Sequence, residues 1–245
     1  MAEEINLCCL ASVDSTMAEA KRLASCGNAG ETTVVTADMQ SSGRGRLGRV
    51  FDSAPGGVYL SIACRPPCRP SDCVHIPALV ALAVKDAVEE TSKAVPDLKW
   101  PNDLLFRGKK ICGLLAEAVH NKDDWFVVIG VGVNVSNKTR ASLPNAASLF
   151  ELTGGAPEPE LLAAEIIKKT TAIIKTSAAK KESLLKRYAS MCVTIGKRVK
   201  IITVTGEFSG IAEGIDNNAA LLVRREDGSV ETVFSGDVRT EYADE

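Results

Sequence analysis

The sequence predicts an α+β protein in two parts: a domain with a mixed sheet and covering helices over residues 1–190, then a small β-barrel over residues 191–245. Three observations predict it. The 245-residue chain is 45% hydrophobic, 24% charged and only 4% aromatic, which is the balance of a globular protein with an aliphatic core and not of a collagen, a coiled coil or a disordered chain. Helical and strand-like patterns alternate as far as Ser190. After Cys192 they give way to short strand-like runs at even spacing, which suits a barrel.

From Leu7 a short strand leads to Asp14-Ser15-Thr16, where a helical pattern begins and runs to near Gly27. Thr16 and Glu19 have the spacing of a capping box. The β-branched run 33–37 and the run GVYLSIA (57–63) read as strands around a polar, glycine-rich loop. Residues 77–93 carry apolar side chains at helical spacing, with acids and lysines opposite and Pro96 beyond, so an amphipathic helix is expected. Segments 104–106 and 111–119 flank the turn Arg107-Gly108-Lys109-Lys110 as a hairpin. The run WFVVIGVGVNV (125–135) suits a strand buried on both faces. Past Pro157 and Pro159 a long helical stretch, expected to hold more than one helix, reaches about Ser190. Four strands follow (197–204, 208–215, 219–225, 229–235), punctuated by Thr205-Gly206, Asp216-Asn217-Asn218 and Asp227-Gly228.

With 29 Lys and Arg against 31 Asp and Glu, a net charge of −2 gives no global attraction to nucleic acid or to an anionic membrane; an anionic ligand must be met by a local patch. The opening MAEEINLCCLASVDST has two acids and no basic region, unlike a signal peptide, and no apolar run approaches the roughly 18 residues of a membrane span. A cytoplasmic chain is expected. Its eight cysteines then read as reduced thiols, with Cys8 and Cys9 as small core residues.

The local patch is SSGRGRLGRVF, residues 41–51, with three arginines and three glycines interleaved. Glycine lets backbone approach a ligand, and each guanidinium presents a rigid fork of donors matched to carboxylate or phosphate. Gly43, Gly45 and Gly48 satisfy GxGxxG, but a strand follows where a dinucleotide fold needs a helix, and no GxxxxGK[ST] string exists. KWPND (99–103) places a cation, an aromatic, a rigid turn and two small polar groups before a strand. Trp100 in it reads alternatively as plain core, since aromatics beside prolines usually pack. Gly113, Gly130 and Gly132 interrupt apolar strands, which marks either bulges or a close approach to the backbone.

GRGRLGR (43–49), KWPND (99–103), KKICGLLAE (109–117) and GVGVNV (130–135) together resemble the ordered motifs of the biotin protein ligases. The resemblance spans the chain. It implies a catalytic domain of the class II aminoacyl-tRNA synthetase and biotin ligase kind followed by an SH3-like β-barrel. It also implies an ATP-dependent enzyme that makes biotinyl-5'-AMP, with Mg²⁺, and passes biotin to one lysine of a biotin carboxyl carrier protein. The chemistry suits the residues, since two mutually repelling anions must be held together and charge at the α-phosphorus stabilised by fixed donors. No Ser/His/Asp or Cys/His constellation is needed or evident.

Carried over by position, the resemblance puts Ser15, Thr16, Gln40 and Gly43 around biotin, with Gly113, Gly130 and Gly132 as the floor beneath it. Arg44 and Arg46 would hold the carboxylate and α-phosphate, Arg49 the outer phosphates, and Lys110 would bridge the biotin carboxyl and the phosphoryl centre as the foremost catalytic candidate. Lys99, Asn102, Asp103 and Asn134 would serve the nucleotide, with Asp103 toward the metal. Phe51 stands where many relatives have a tryptophan against adenine, so the stacking area is smaller. Thr16 reads alternatively as a helix cap, and Lys110 as a solvated turn lysine.

The string Cys64, Cys68, Cys73, His75 suits either a zinc site or an ordinary loop with free thiols. His120 has no partner in the sequence, and Cys112 reads as a small strand residue. Rival functions are a lipoate or octanoate ligase or transferase of the same fold, a biotin-dependent transcriptional repressor, and an inactive binding module. The repressor would need roughly 60 residues of helix-turn-helix ahead of the first motif at Ser15, so no nucleic-acid partner is expected. A homodimer stays open beside a monomer.

Overall fold

A computed structural model describes residues 5–26, 32–121, 124–204 and 206–240. The first part is built on a seven-stranded sheet: β1 (Ile5–Leu10), β2 (Thr32–Ala37), β3 (Val58–Cys64), β4 (Asp97–Lys99), β5 (Asp103–Phe106), β6 (Lys109–Asn121) and β7 (Asp124–Val133). Their spatial order is β1-β2-β3-β7-β6-β5-β4. Only β1 and β2 run parallel; every other pair is antiparallel, so the sheet is mixed as expected.

Strand alternation divides the apolar residues between two layers. Val35, Ala63 and Val128 face α1 (Thr16–Cys26) and meet Met17 and Ala20. Val34, Ile62 and Ile129 point the other way, into the main core beneath α2 (Ile76–Ser92). A short α3 (Leu149–Thr153), opened by a Ser148–Glu151 capping box, follows β7, and α4 (Pro159–Met191) lies across α2. α2 is less amphipathic than its sequence suggests, because α4 covers it: even Lys85 is buried, paired with Glu89 at 2.8 Å. It ends at Lys93 in the left-handed region, short of Pro96.

The stretch expected to hold several helices is one helix of 33 residues. Its buried positions, Leu162, Ile166, Thr170, Ile174, Ser177, Leu185 and Tyr188, keep to steps of about one or two turns and so form one continuous stripe. Arg187 adds a two-pronged bond to Asp86 of α2. Two cysteine expectations fail. β1 is an edge strand with β2 alone beside it, so Cys9 is exposed and Cys8 only half-buried. Cys68 and Cys73 are joined in a disulfide instead of being free, and no group of three metal-ligating side chains occurs among the described residues, so the zinc reading of that cluster is not realised.

The second part is an antiparallel sheet of five strands: β8 (Arg198–Thr203), β9 (Gly206–Ile215), β10 (Leu221–Arg224), β11 (Val230–Val233) and β12 (Asp237–Thr240). The order is β11-β10-β9-β8-β12. Among the described residues no ladder joins β11 to β12, so this SH3-like sheet is open where a closed barrel was expected. The short β12 was not foreseen. The predicted helix stop near Gly27 and the turn residue Thr205 lie outside the described residues. No helix among the described residues is long and apolar enough to cross a membrane.

Trp100 joins the two parts. Its backbone N–H donates to Thr194 Oγ1 at 3.1 Å and its indole N–H to the Ala219 carbonyl at 2.8 Å, at 3% exposure. The core reading of Trp100 therefore holds, and the buried indole donor is satisfied.

Candidate active site

On the face shared with α1, the register aligns Tyr59, Gly132, Gly113 and Asp103 across β3, β7, β6 and β5. The middle of this row has no side chains, so other groups rest on the backbone there. A Cβ on Gly132 would lie 2.5 Å from Phe51 Cε1, one on Gly113 would lie 3.1 Å from Phe51 Cε2, and one on Gly130 would lie 2.8 Å from Met17 Sδ. These glycines are thus sites of close approach, and the ring of Phe51 spans the Gly113–Gly132 pair. The same ring meets Tyr59 edge-on, with centroids 6.3 Å apart.

Lys110 reaches this face through a β-bulge. Leu104 pairs with Cys112 and Leu105 with Lys110, which leaves Ile111 as the extra residue on β6. In an unbroken ladder Lys110 would point away from Gly113; the extra residue turns it onto the same face. Its Nζ lies 2.6 Å from Asp103 Oδ1. The turn of the hairpin is only Arg107-Gly108, both with positive φ (49° and 75°), so Lys109 and Lys110 belong to the strand and not to the turn. Lys110 is accordingly no free turn lysine. Its backbone bonds go to another segment: its N–H donates to Asn145 O at 2.7 Å and its carbonyl accepts from Ala147 N–H at 3.1 Å.

The arginine loop doubles back over the floor. Phe51 N–H donates to Gly43 O at 2.9 Å and Gly45 N–H to Arg49 O at 2.7 Å, around a tight turn with Leu47 and Gly48 at positive φ. Gly43 is needed for this fold-back, since a Cβ there would sit 2.4 Å from the Phe51 carbonyl. Arg46 donates to Asn102 Oδ1 at 3.2 Å and, across to the second part, to Ser235 Oγ at 2.8 Å and Gly236 O at 3.4 Å. Arg49 pairs with Asp237 of β12. Burial lowers the Arg46 pKa from its usual range, opposed by the nearby carboxylates of Asp237 and Asp103, and the group stays a cation. Arg44 is exposed.

At the other end Thr16 turns inward. Its backbone N–H and hydroxyl donate to Gln40 Oε1 at 2.8 and 3.1 Å, and the hydroxyl also meets Ser61 Oγ at 2.9 Å. The capping box is therefore absent: Ser15 Oγ accepts from Ala18 N–H at 3.5 Å, and Glu19 pairs with Arg22. Gln40 Nε2 donates to Ser53 Oγ at 2.8 Å, which ties α1 to the loop. Asn102 clips β6 by donating to the Leu114 carbonyl at 2.5 Å. Asn134 is buried and accepts from Asn137 Nδ2 at 3.0 Å. Cys112 lies in the main core on the other face of the sheet, and burial pushes its thiol pKa far up, so it stays protonated and is no nucleophile.

These side chains enclose a cavity of about 450 Å³. Of the residues singled out in the sequence, Ser15, Thr16, Gln40, Arg44, Arg46, Arg49, Phe51, Lys99, Asn102, Asp103, Lys110, Gly113, Gly130, Gly132 and Asn134 all line it; Gly43 is buried and does not. Sequence reasoning missed Met17, the segment holding Thr139, Arg140 and Asn145, and the stretch Gly236 to Arg239. Arg140 pairs with Asp52 at 2.9 Å, linking that segment to the arginine loop. Arg140 had a weak sequence signal, one of two cations with Lys138 in a polar loop; Gly236 to Arg239 had none.

The cavity is floored by glycines, rimmed by cations, set on the mixed sheet and bordered by the C-terminal sheet. The chain belongs to the biotin/lipoate A/B protein ligase family, whose model matches residues 9–134, and the model of the biotin protein ligase C terminal domain matches residues 194–239. It is 34% identical over 236 residues to the bifunctional ligase/repressor BirA of Bacillus subtilis, covering 92% of this chain and 71% of that one. It is 34% identical over 235 residues to the biotin--[acetyl-CoA-carboxylase] ligase of Mycobacterium tuberculosis, covering 94% and 86%. The biotin protein ligase of Aquifex aeolicus, solved in complex with biotin and ATP, superposes with a TM-score of 0.82 at 29% identity over 96% of this chain and 99% of that one.

Proposed function

We propose that this chain is a biotin protein ligase that activates biotin as biotinyl-5'-AMP and transfers it to a lysine of a biotin carboxyl carrier protein in the cytoplasm. Residues 1–190 form the biotin and ATP-binding domain and residues 191–245 the SH3-like domain. The observation that carries the reading is convergence: a bulge aims Lys110 at the glycine floor, opposite the arginine loop, inside one cavity. Ser15, Thr16 and Gln40 offer hydroxyl and amide partners for the ureido end of biotin, and Gly130 and Gly132 would lie beneath its rings once the Met17 and Phe51 side chains that cover them move aside. Arg44, Arg46 and Lys110 draw the carboxylate toward the α-phosphate, and Arg49 and Lys99 face the outer phosphates.

In the first step a biotin carboxylate oxygen attacks the α-phosphorus, the bond to the β-phosphate bridging oxygen breaks, and pyrophosphate leaves. Lys110 and the arginines are fixed donors to the charge that builds on the phosphoryl oxygens, a role whose removal ordinarily costs about 10²–10³ in rate. In the second step the carrier lysine, as the free amine, attacks the acyl carbon; AMP leaves and the amine proton passes to solvent. Asp103 fits Mg²⁺: it is a hard carboxylate on the cavity wall, and with no three-member ligand cluster among the described residues the phosphates would complete the coordination. Bound there with the nucleotide, the ion would neutralise phosphate charge.

The test is ATP/pyrophosphate exchange with Mg²⁺, offering biotin, lipoate and octanoate separately, beside Lys110→Ala. Exchange with biotin alone, cut about 10²–10³-fold in the variant, is expected. Exchange with lipoate or octanoate instead would assign the chain to the other branch of its family, and no exchange with any acid would refute the ligase reading.

A further inference from the structure

We propose that Asp237, on the C-terminal sheet, is a positioning residue for nucleotide: it holds Arg49 over the cavity in the resting chain and yields it to the incoming triphosphate. The inference rests on the nucleotide reading of the cavity given above. Arg49 has Asp237 as its ion-pair partner, and the same carboxylate bears on Arg46. Arg46 is tied to the same short stretch, through Ser235 Oγ at 2.8 Å and Gly236 O at 3.4 Å. Two of the three loop arginines are therefore anchored across the domain boundary.

The anchor is fixed in place. Asp237 opens β12 and pairs with Ile202 of β8, and Gly236 passes so close to that strand that a Cβ there would lie 3.0 Å from the Ile202 carbonyl. Asp237 also lines the cavity itself. A carboxylate at that place repels a polyphosphate and competes with it for Arg49, whereas a polyphosphate carries more charge and more acceptor oxygens than one carboxylate. The exchange of partners is thus favourable once nucleotide is present, and before then the arginine is kept near its place of use.

The test is calorimetric binding of an ATP analogue with a non-cleavable α–β bridge, together with hydrogen exchange of residues 44–50 in the nucleotide-free proteins. Asp237→Asn keeps the shape and removes the charge. It is expected to bind the analogue about two- to fivefold more tightly at low salt, the size of a solvent-accessible ion pair, with the gain shrinking as salt rises. In the Arg49→Ala background the gain should shrink to what relieved repulsion alone supplies, and without nucleotide Asp237→Asn should speed exchange in residues 44–50. Equal or weaker binding by Asp237→Asn, or the same gain with and without Arg49, would overturn the proposal. If exchange quickens as expected but not even the unaltered chain binds the analogue, the anchor stands and the nucleotide reading fails.

Discussion

Replacing Gly132 by alanine tests whether the cavity floor is bare for packing reasons and for ligand. A methyl there would sit 2.5 and 2.6 Å from Phe51 Cε1 and Cζ, where ordinary contact is 3.4–4 Å, so about 1 Å of retreat is required. β7 is hydrogen-bonded to β3 on one side and β6 on the other and cannot supply it; the half-buried ring must. Overpacking costs about 1–3 kcal/mol, and the ring's exit into the cavity puts this case near 1 kcal/mol, or a fall of about 2–4 °C in Tm for a chain of this size. With Phe51→Ala the methyl meets space, and the cost should vanish or turn into a gain of about 0.5–1 kcal/mol from removing a strand glycine. The assay is a double-mutant cycle by denaturant unfolding, with biotin affinity measured on all four proteins. Affinity should fall about tenfold or more in both Gly132→Ala proteins, because the methyl also occupies ligand space. Equal destabilisation with and without the Phe51 ring would refute the packing argument, and unchanged biotin affinity would refute the floor.

Two further predictions concern stability. Trp100→Phe leaves the buried Ala219 carbonyl without its indole donor, so a loss of about 1–3 kcal/mol is expected by thermal melting, with an unchanged Tm contradicting the contribution of that bond. His75 is buried with neither ring nitrogen hydrogen-bonded among the described residues; burial first, then Lys181, pushes its pKa down to about 4, against a smaller opposing pull from Asp72. A folded pKa below the unfolded 6.5 means the unfolded chain takes up the proton first. His75 therefore adds nothing to lose above pH 6.5, and stability falls between about pH 6.5 and 4 by at most roughly 1.4 kcal/mol per pH unit. Unfolding curves of His75→Leu should be flatter across that window, and an identical slope would show that His75 does not titrate there.

What the sequence made legible were features written in consecutive residues. Three arginines among three glycines, KWPND and the strand glycines carry their chemistry locally, and the fold brings them to one cavity. The mixed sheet, the hairpin and the SH3-like strands follow from periodicity and turn residues in the same way. The rest depends on residues far apart in the chain. That Lys110 faces the floor depends on Ile111 being extra in a register set against β5, which no local pattern reveals. Thr16 caps nothing because Gln40 and Ser61 offer it better partners. The unity of α4 depends on its stripe meeting α2 along one stretch and β3, β4 and β9 along others, and the exposure of Cys9 on β1 being an edge. Asp237 is an unremarkable acid until β12 pairs with β8 and lays it against Arg49.

The central claim is that this cavity joins biotin to AMP and hands the acyl group to a lysine. Its most direct test mixes the protein with biotin, ATP and Mg²⁺, quenches, and identifies the product by mass spectrometry before and after adding a carrier domain with one acceptor lysine. The account predicts biotinyl-5'-AMP bound to the protein in the first sample, and in the second its replacement by AMP and a carrier biotinylated on that lysine. Absence of the adenylate, or its persistence beside an unmodified carrier, would contradict it.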